Sequence, residues 1–382
     1  MMRRALLPLL LSMAGGAMAA ALPAPVDVHA LQQPQAVQGT DGVRRLYYEL
    51  DIGNYYADTG TLRLTDIAVY ADDGTTPLAN FSGAGLAPLL QPGRELEADD
   101  SLAIKGGRHA LVLIAAPLPK QAGTLRHKLT FKNEKGELQT ADDIPVAITA
   151  APPVAIGAPL HGGLWLADEG PGHAQSHHWG SVVVQNGRAT IPQRYAIDFF
   201  GLDANGHAVK APIEKLAETS VGDWFGWNTE VLAVADGVVR DLRDGVADRR
   251  PLSPQQEPEE LTTRSLYGNF VVLEIAPHVY AHYAHLRNGS IQVKPGQRVK
   301  RGAALGRLGL TGGAGAPHLH FHLADKASFA DSQGLPFVFD TYTPLGHTTE
   351  SEALNQASTI QLTQKAVPLR RRMPVNGDII GF

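Results

Sequence analysis

The run Gly312-Gly313-Ala314-Gly315-Ala316-Pro317-His318-Leu319-His320-Phe321-His322 constrains this chain more than any other segment. In an extended strand, side chains two residues apart point to the same side. His318 and His320 therefore face one site, and the glycine-rich approach with Pro317 marks where that strand begins. Imidazole is both a common neutral metal ligand and the side chain that most readily exchanges a proton near neutral pH. One member of such a pair can hold a metal while the other works on substrate. His322 shares the parity one step further along and is expected to support the pair.

With 382 residues, the chain has room for about two domains of ordinary size. A net charge of -5 gives no electrostatic case for a nucleic-acid partner. The first residues read as a secretory signal peptide over 1–19: Met1-Met2-Arg3-Arg4 is the positive start, Ala5 to Met13 the apolar core, and Ala17-Met18-Ala19 the cleavage site. That apolar stretch is shorter than the roughly 20 residues a membrane span needs. The expectation is an exported protein of the periplasm or cell envelope, with no stable membrane anchor after cleavage. No cysteine is present. Disulfides are excluded, and histidines and carboxylates are left as the strong metal ligands.

From 26 to 150, short apolar runs alternate with turns. Leu46–Leu50, Ile67–Tyr70, Ala110–Ile114 and Thr124–Phe131 read as strands, with turns at Asp72-Asp73-Gly74 and Glu134-Lys135-Gly136. This spacing predicts an immunoglobulin-like β-sandwich. His29, His109 and His127 are scattered through it as surface or strand histidines, and the other 12 of the 15 histidines follow the linker Ala150-Ala151-Pro152-Pro153. Beyond the linker, Val231–Val239, Asn269–Ile275 and Val279–Leu286 read as strands, with turns at Gly296–Gly302 and Gly306–Gly309. A compact antiparallel β-domain over 151–345, with a groove across one sheet, is expected, followed by a C-terminal extension over 346–382. The fold class is thus mostly β. Trp224 and Trp227 could line a cleft or pack in a core. The stretch Asp241–Arg264 reads as a long loop, and Arg370-Arg371-Arg372 as a solvated turn or a contact for an anionic polymer.

In this order and spacing, "VLAVADGVV", "GNFVVLE", "YAHYAHL" and "VKPGQRVKRGAALGRLGLTGGAGAPHLHFHL" resemble the lysostaphin- and LytM-type zinc endopeptidases, which cut peptide cross-links in bacterial cell walls. The likeness covers roughly 193–323. It implies that His320 and Asp198 are zinc ligands and that His285 and His318 are catalytic, with peptidoglycan peptides as the substrate. At one position the chain departs from the family: Arg194 stands where the first histidine ligand belongs, and a guanidinium has no lone pair to offer a cation. Ser176-His177-His178-Trp179 could supply the missing imidazole, with His178 preferred over His177 and with Arg194 turned toward Asp198 or a substrate carboxylate. The alternative is a degenerate, metal-free module that binds cell wall or regulates amidases, with Asp198 and Arg194 paired as a buried bridge. The joint presence of His285, His318, His320 and Asp198 favours the zinc-dependent endopeptidase. Oligomeric state is not legible.

Overall fold

The computed structural model describes residues 21–173, 175–254, 263–363 and 365–382. The expected signal peptide lies outside them. The chain is mostly β, with antiparallel sheets. No helix among the described residues is long and apolar enough to cross a membrane.

The predicted strands of the first half lie inside Arg44–Asn54, Leu62–Ala71, Arg108–Pro117 and Thr124–Lys132. They form two sheets, one built around Leu62–Ala71, Thr124–Lys132 and Leu138–Ala147, the other around Arg44–Asn54 and Arg108–Pro117. Leu46, Tyr48, Leu50 and Ile52 project from one face of Arg44–Asn54 into the core between the sheets, together with Val112, Ile114, Leu129 and Phe131. The opposite face is buried as well. Tyr47, Leu111 and Leu113 pack with Trp179, Tyr195 and Ile197 of the second half. A strand apolar on both faces is a strand covered on both faces, so the outer face of this sheet is an interface.

The second half is organised on a ten-stranded antiparallel sheet. Its central strands run in the order Gly237–Arg243, Phe270–Ala276, Val279–Ala284, Leu319–Ala324, Ile197–Leu202, Leu164–Asp168 and Asp378–Gly381. The last of these comes from the C-terminal segment and pairs Ile379 with Leu166. Three expectations need correction. The single strand over Val231–Val239 is two: Glu230–Leu232 pairs with Ala304–Arg307, and Gly237–Arg243 pairs with Phe270–Ala276. Between them, Asp236 accepts a hydrogen bond from the Arg301 amide at 2.9 Å, which turns the chain from one sheet to the other. Gly306, expected in a turn, is within a strand opposite Val231. The long loop expected over 241–264 begins only after Arg243, and its residues 255–262 lie outside those described. Trp224 is a core residue and Trp227 is half-buried.

His127 is the buried histidine of the sandwich. Its Nδ1–H donates to the Ile144 carbonyl at 3.0 Å, and its Nε2 accepts from the Tyr48 hydroxyl at 2.7 Å. Burial pushes its pKa from 6.5 down to about 4. Below pH 6.5 the unfolded chain therefore takes up a proton that the folded chain refuses, and stability is lost as pH falls toward 4. For this one group the loss amounts to about 3 kcal/mol. His127→Gln keeps an acceptor and a donor but cannot titrate. Its melting temperature should fall less between pH 6.5 and 4 than that of the parent, and an unchanged slope would refute the assignment.

Candidate metal centre

Three neighbouring strands deliver the site. In the sheet register Asp198 lies opposite His320, and His320 lies opposite Ala284 on its other side. His285 follows directly after the Val279–Ala284 strand, with φ +62, a left-handed conformation uncommon for a residue with a Cβ. His318 precedes Leu319–Ala324, and its ring lies on the Asp198 side as the two-residue parity predicts. The glycine-rich approach has a steric cause. Gly312 at φ +69 packs backbone against backbone on Gly268 at φ +65, and a Cβ on either would collide with the other.

Asp198 Oδ1, His320 Nδ1 and His178 Nε2 converge. Asp198 to His320 is 2.9 Å, His320 to His178 is 3.1 Å, and His178 to Asp198 is 3.5 Å. Donors at 2.0–2.1 Å from a tetrahedral ion stand about 3.3 Å apart, so this spacing fits one zinc ion. The hydrogen bonds around the donors fit too. His178 Nδ1 is 3.2 Å from the Glu169 carbonyl, which can only accept, so its Nε2 keeps a lone pair. For His320 to offer Nδ1, its Nε2–H donates to His322 Nδ1 at 2.9 Å, and His322 Nε2–H donates to the Tyr267 hydroxyl at 3.2 Å. His177 also brings a ring nitrogen within 4.8 Å of the His178 and Asp198 ligand atoms. Unlike His178 it is exposed, and Glu169 Oε2 holds it at 3.2 Å.

His285 and His318 lie beside these donors, with ring centroids 4.8 Å apart. His285 Nδ1–H donates to the Thr311 carbonyl at 2.8 Å and His318 Nδ1–H to the Ala316 carbonyl at 2.8 Å, so both turn Nε2 toward the site. His318 Nε2 is 3.3 Å from Asp198 Oδ2. Burial, aided by the neighbouring His318 and His320 charges, holds His285 well below 6.5 and therefore neutral at neutral pH. Burial acts the same way on His318, but the Asp198 carboxylate outweighs it and raises the His318 pKa. Burial alone would raise Asp198, yet His318 and His178 hold it well below the usual carboxylate range. Asp168, opposite Asp198 in the sheet, is pushed up to about 7 by burial and by the Glu350, Asp198 and Glu169 carboxylates. So much negative potential in a buried pocket suits a cation.

Arg194 behaves unlike either sequence expectation. It points neither to Asp198 nor into the site. Its Nε and Nη2 donate to the two oxygens of Glu49 at 2.7 and 2.8 Å, and its Nη1 donates to Gln333 at 3.0 Å. Both charged side chains of this pair are 0% exposed. A guanidinium cannot stay buried without a carboxylate of its own, and the sandwich supplies one. Glu49, Glu169, Thr311 and Tyr267 are absent from the sequence reading. Only the proximity of Glu169 to His173 and His177 carried any signal, because the other three partners are distant in sequence. His282 stacks on His322 at 4.6 Å, as a packed histidine. His161, His278 and His347 are exposed and away from the site.

Residues 224–332 match Peptidase family M23. This segment belongs to that family. The M23 segment contains His285, His318 and His320, whereas His178 and Asp198 lie upstream of it. Over 57 residues, 15% of this chain, the sequence is 44% identical to the cell division protein DipM of Caulobacter vibrioides (strain NA1000 / CB15N), a match spanning 9% of that protein. Among solved structures, the catalytic domain of the antimicrobial peptidase lysostaphin from Staphylococcus simulans is 21% identical, with 45% of this chain and 88% of that one covered and a TM-score of 0.24. A zinc containing peptidase from Vibrio cholerae is 17% identical over 79% of this chain and 83% of that one, with a TM-score of 0.22.

Arg194→Ala would strand the Glu49 carboxylate in a dry interior. It should destabilise the fold by about 3–5 kcal/mol, read as a lower urea midpoint. A loss under about 1 kcal/mol, the value of an exposed pair, would refute the buried pair.

Proposed function

We propose that this chain is an exported zinc-dependent endopeptidase that hydrolyses peptide bonds of peptidoglycan cross-links. The observation that carries the reading is the convergence of His178, Asp198 and His320 donor atoms within 2.9–3.5 Å, beside two imidazoles, His285 and His318, that each turn Nε2 toward the site. In this reading His178 takes the ligand role that Arg194 cannot perform. When bound, zinc supplies a Lewis acid for the scissile carbonyl and lowers the pKa of a water at its open position.

The chain's own residues divide the remaining work. His285, neutral and with Nδ1–H locked on Thr311, accepts a proton from the attacking water at Nε2. His318, whose Nε2–H Asp198 favours, donates to the oxyanion that develops on the carbonyl and then to the leaving amine. Asp198 favours the protonated form of His318 while giving its other oxygen to the donor set. The complete set of site residues argues against the metal-free alternative.

Protein purified without chelator should carry near-stoichiometric zinc, and His178→Ala and His320→Ala should each lose most of it. Zinc well below one equivalent after zinc is supplied would sink the reading. His285→Ala and His318→Ala should retain zinc and lower turnover of cross-linked peptidoglycan peptides by about two to four orders of magnitude. Zinc loss in these variants equal to that in His320→Ala would mean the roles are exchanged.

A further inference from the structure

Two of the three donors, Asp198 and His320, are paired with each other in the central sheet, whereas the third is on a turn. His178 belongs to a four-residue helix, His177–Gly180, far too short to be stable on its own. What holds this helix is the sandwich. Trp179, the residue after His178, donates its indole Nε1–H to Glu49 Oε1 at 2.6 Å. Its ring meets Tyr47 edge-on at 5.7 Å, and Tyr47 in turn meets Tyr195 at 6.1 Å. From the other side, the Gln175 amide donates to the Leu90 carbonyl at 2.7 Å and the Gln91 amide to the Gly180 carbonyl at 3.3 Å. Gly180 lies so close to Pro92 that a Cβ there would collide with the ring. The segment 175–180 is therefore held at both ends by residues 47–49 and 90–92.

We propose that the N-terminal sandwich completes the metal centre, with Glu49 as the positioning residue that seats Trp179 and so aims His178 at Asp198 and His320. The proposal rests on the reading of His178 as a zinc ligand. Glu49 touches neither metal nor substrate. It acts through two buried donors at once, the Trp179 indole and the Arg194 guanidinium, so one carboxylate sets both the turn that bears His178 and the approach to the strand that bears Asp198. Outer-shell partners of this kind orient a ligand and contribute about 10–100-fold to metal affinity.

The experiment compares zinc dissociation constants, by chelator competition on the full chain, for the parent, Trp179→Phe, Glu49→Gln and His178→Ala. Trp179→Phe removes the indole N–H together with part of the ring, keeps an aromatic ring against Tyr47 and leaves the Glu49–Arg194 pair in place. Its zinc dissociation constant should rise about tenfold, while the zinc-free protein melts within a few degrees of the parent. The visible spectrum of its cobalt-substituted form should shift, because a displaced imidazole changes the ligand field and a merely structural role would leave it alone. Glu49→Gln should weaken zinc at least as much, and should it fail to fold, Trp179→Phe decides alone. Parent-like zinc affinity and cobalt spectrum in Trp179→Phe, with zinc lost in His178→Ala, would overturn the proposal. Zinc retained by His178→Ala would overturn the ligand reading beneath it.

Discussion

The carboxylate of Glu49 and the guanidinium of Arg194 are both removed from water, 145 residues apart in sequence and joined by two hydrogen bonds of 2.7 and 2.8 Å. Each charge buried alone would cost several kcal/mol in desolvation, so neither position is tolerable without the other. The bidentate geometry also fixes direction as well as distance. This pair ties the Arg44–Asn54 strand of the sandwich to the approach of the strand that carries Asp198, and the apolar contacts of Tyr47, Leu111 and Leu113 surround it. The two halves thus share a core. The burial of Arg194 is explained by a partner supplied from outside the central sheet of the second half.

Around the candidate metal centre, the histidines are sorted by which ring nitrogen each turns inward. Backbone carbonyls of Glu169, Thr311 and Ala316 accept from Nδ1 of His178, His285 and His318, leaving Nε2 of all three turned inward. His320 is reversed: Nδ1 meets Asp198 and His178, and Nε2 reaches His322. A carbonyl cannot donate, so these backbone contacts set the tautomers without any titratable partner. Burial then keeps His178 and His285 neutral, while the Asp198 carboxylate favours the protonated form of His318.

Local pattern was enough for much of the fold. The short apolar runs Leu46–Leu50, Ala110–Ile114 and Thr124–Phe131, separated by turn residues, placed strands correctly. It failed at Val231–Val239, where a continuous apolar run spans two strands in different sheets, because the turn at Asp236 depends on the distant Arg301 amide. It also failed at Gly306, whose strand exists through pairing with Val231. At the site, the parity of His318 and His320, the retention of Asp198 and His285, and the availability of His178 were all visible in the chain. Asp198 and His320 as partners across two strands, and Tyr267 behind His322, were not.

By itself the sequence determined the β class, the histidines that face one another along a strand, and the absence of a lone pair at Arg194. Each is a property of a residue or of its neighbours within a few positions, and period-two geometry carries it unaided. Tertiary structure alone decided that Arg194 meets Glu49, that Trp179 shares that carboxylate, and that the His178 turn reaches Asp198 and His320. Burial and through-space charge select those partners among residues from twenty to nearly 150 positions apart, and no local periodicity encodes such a choice.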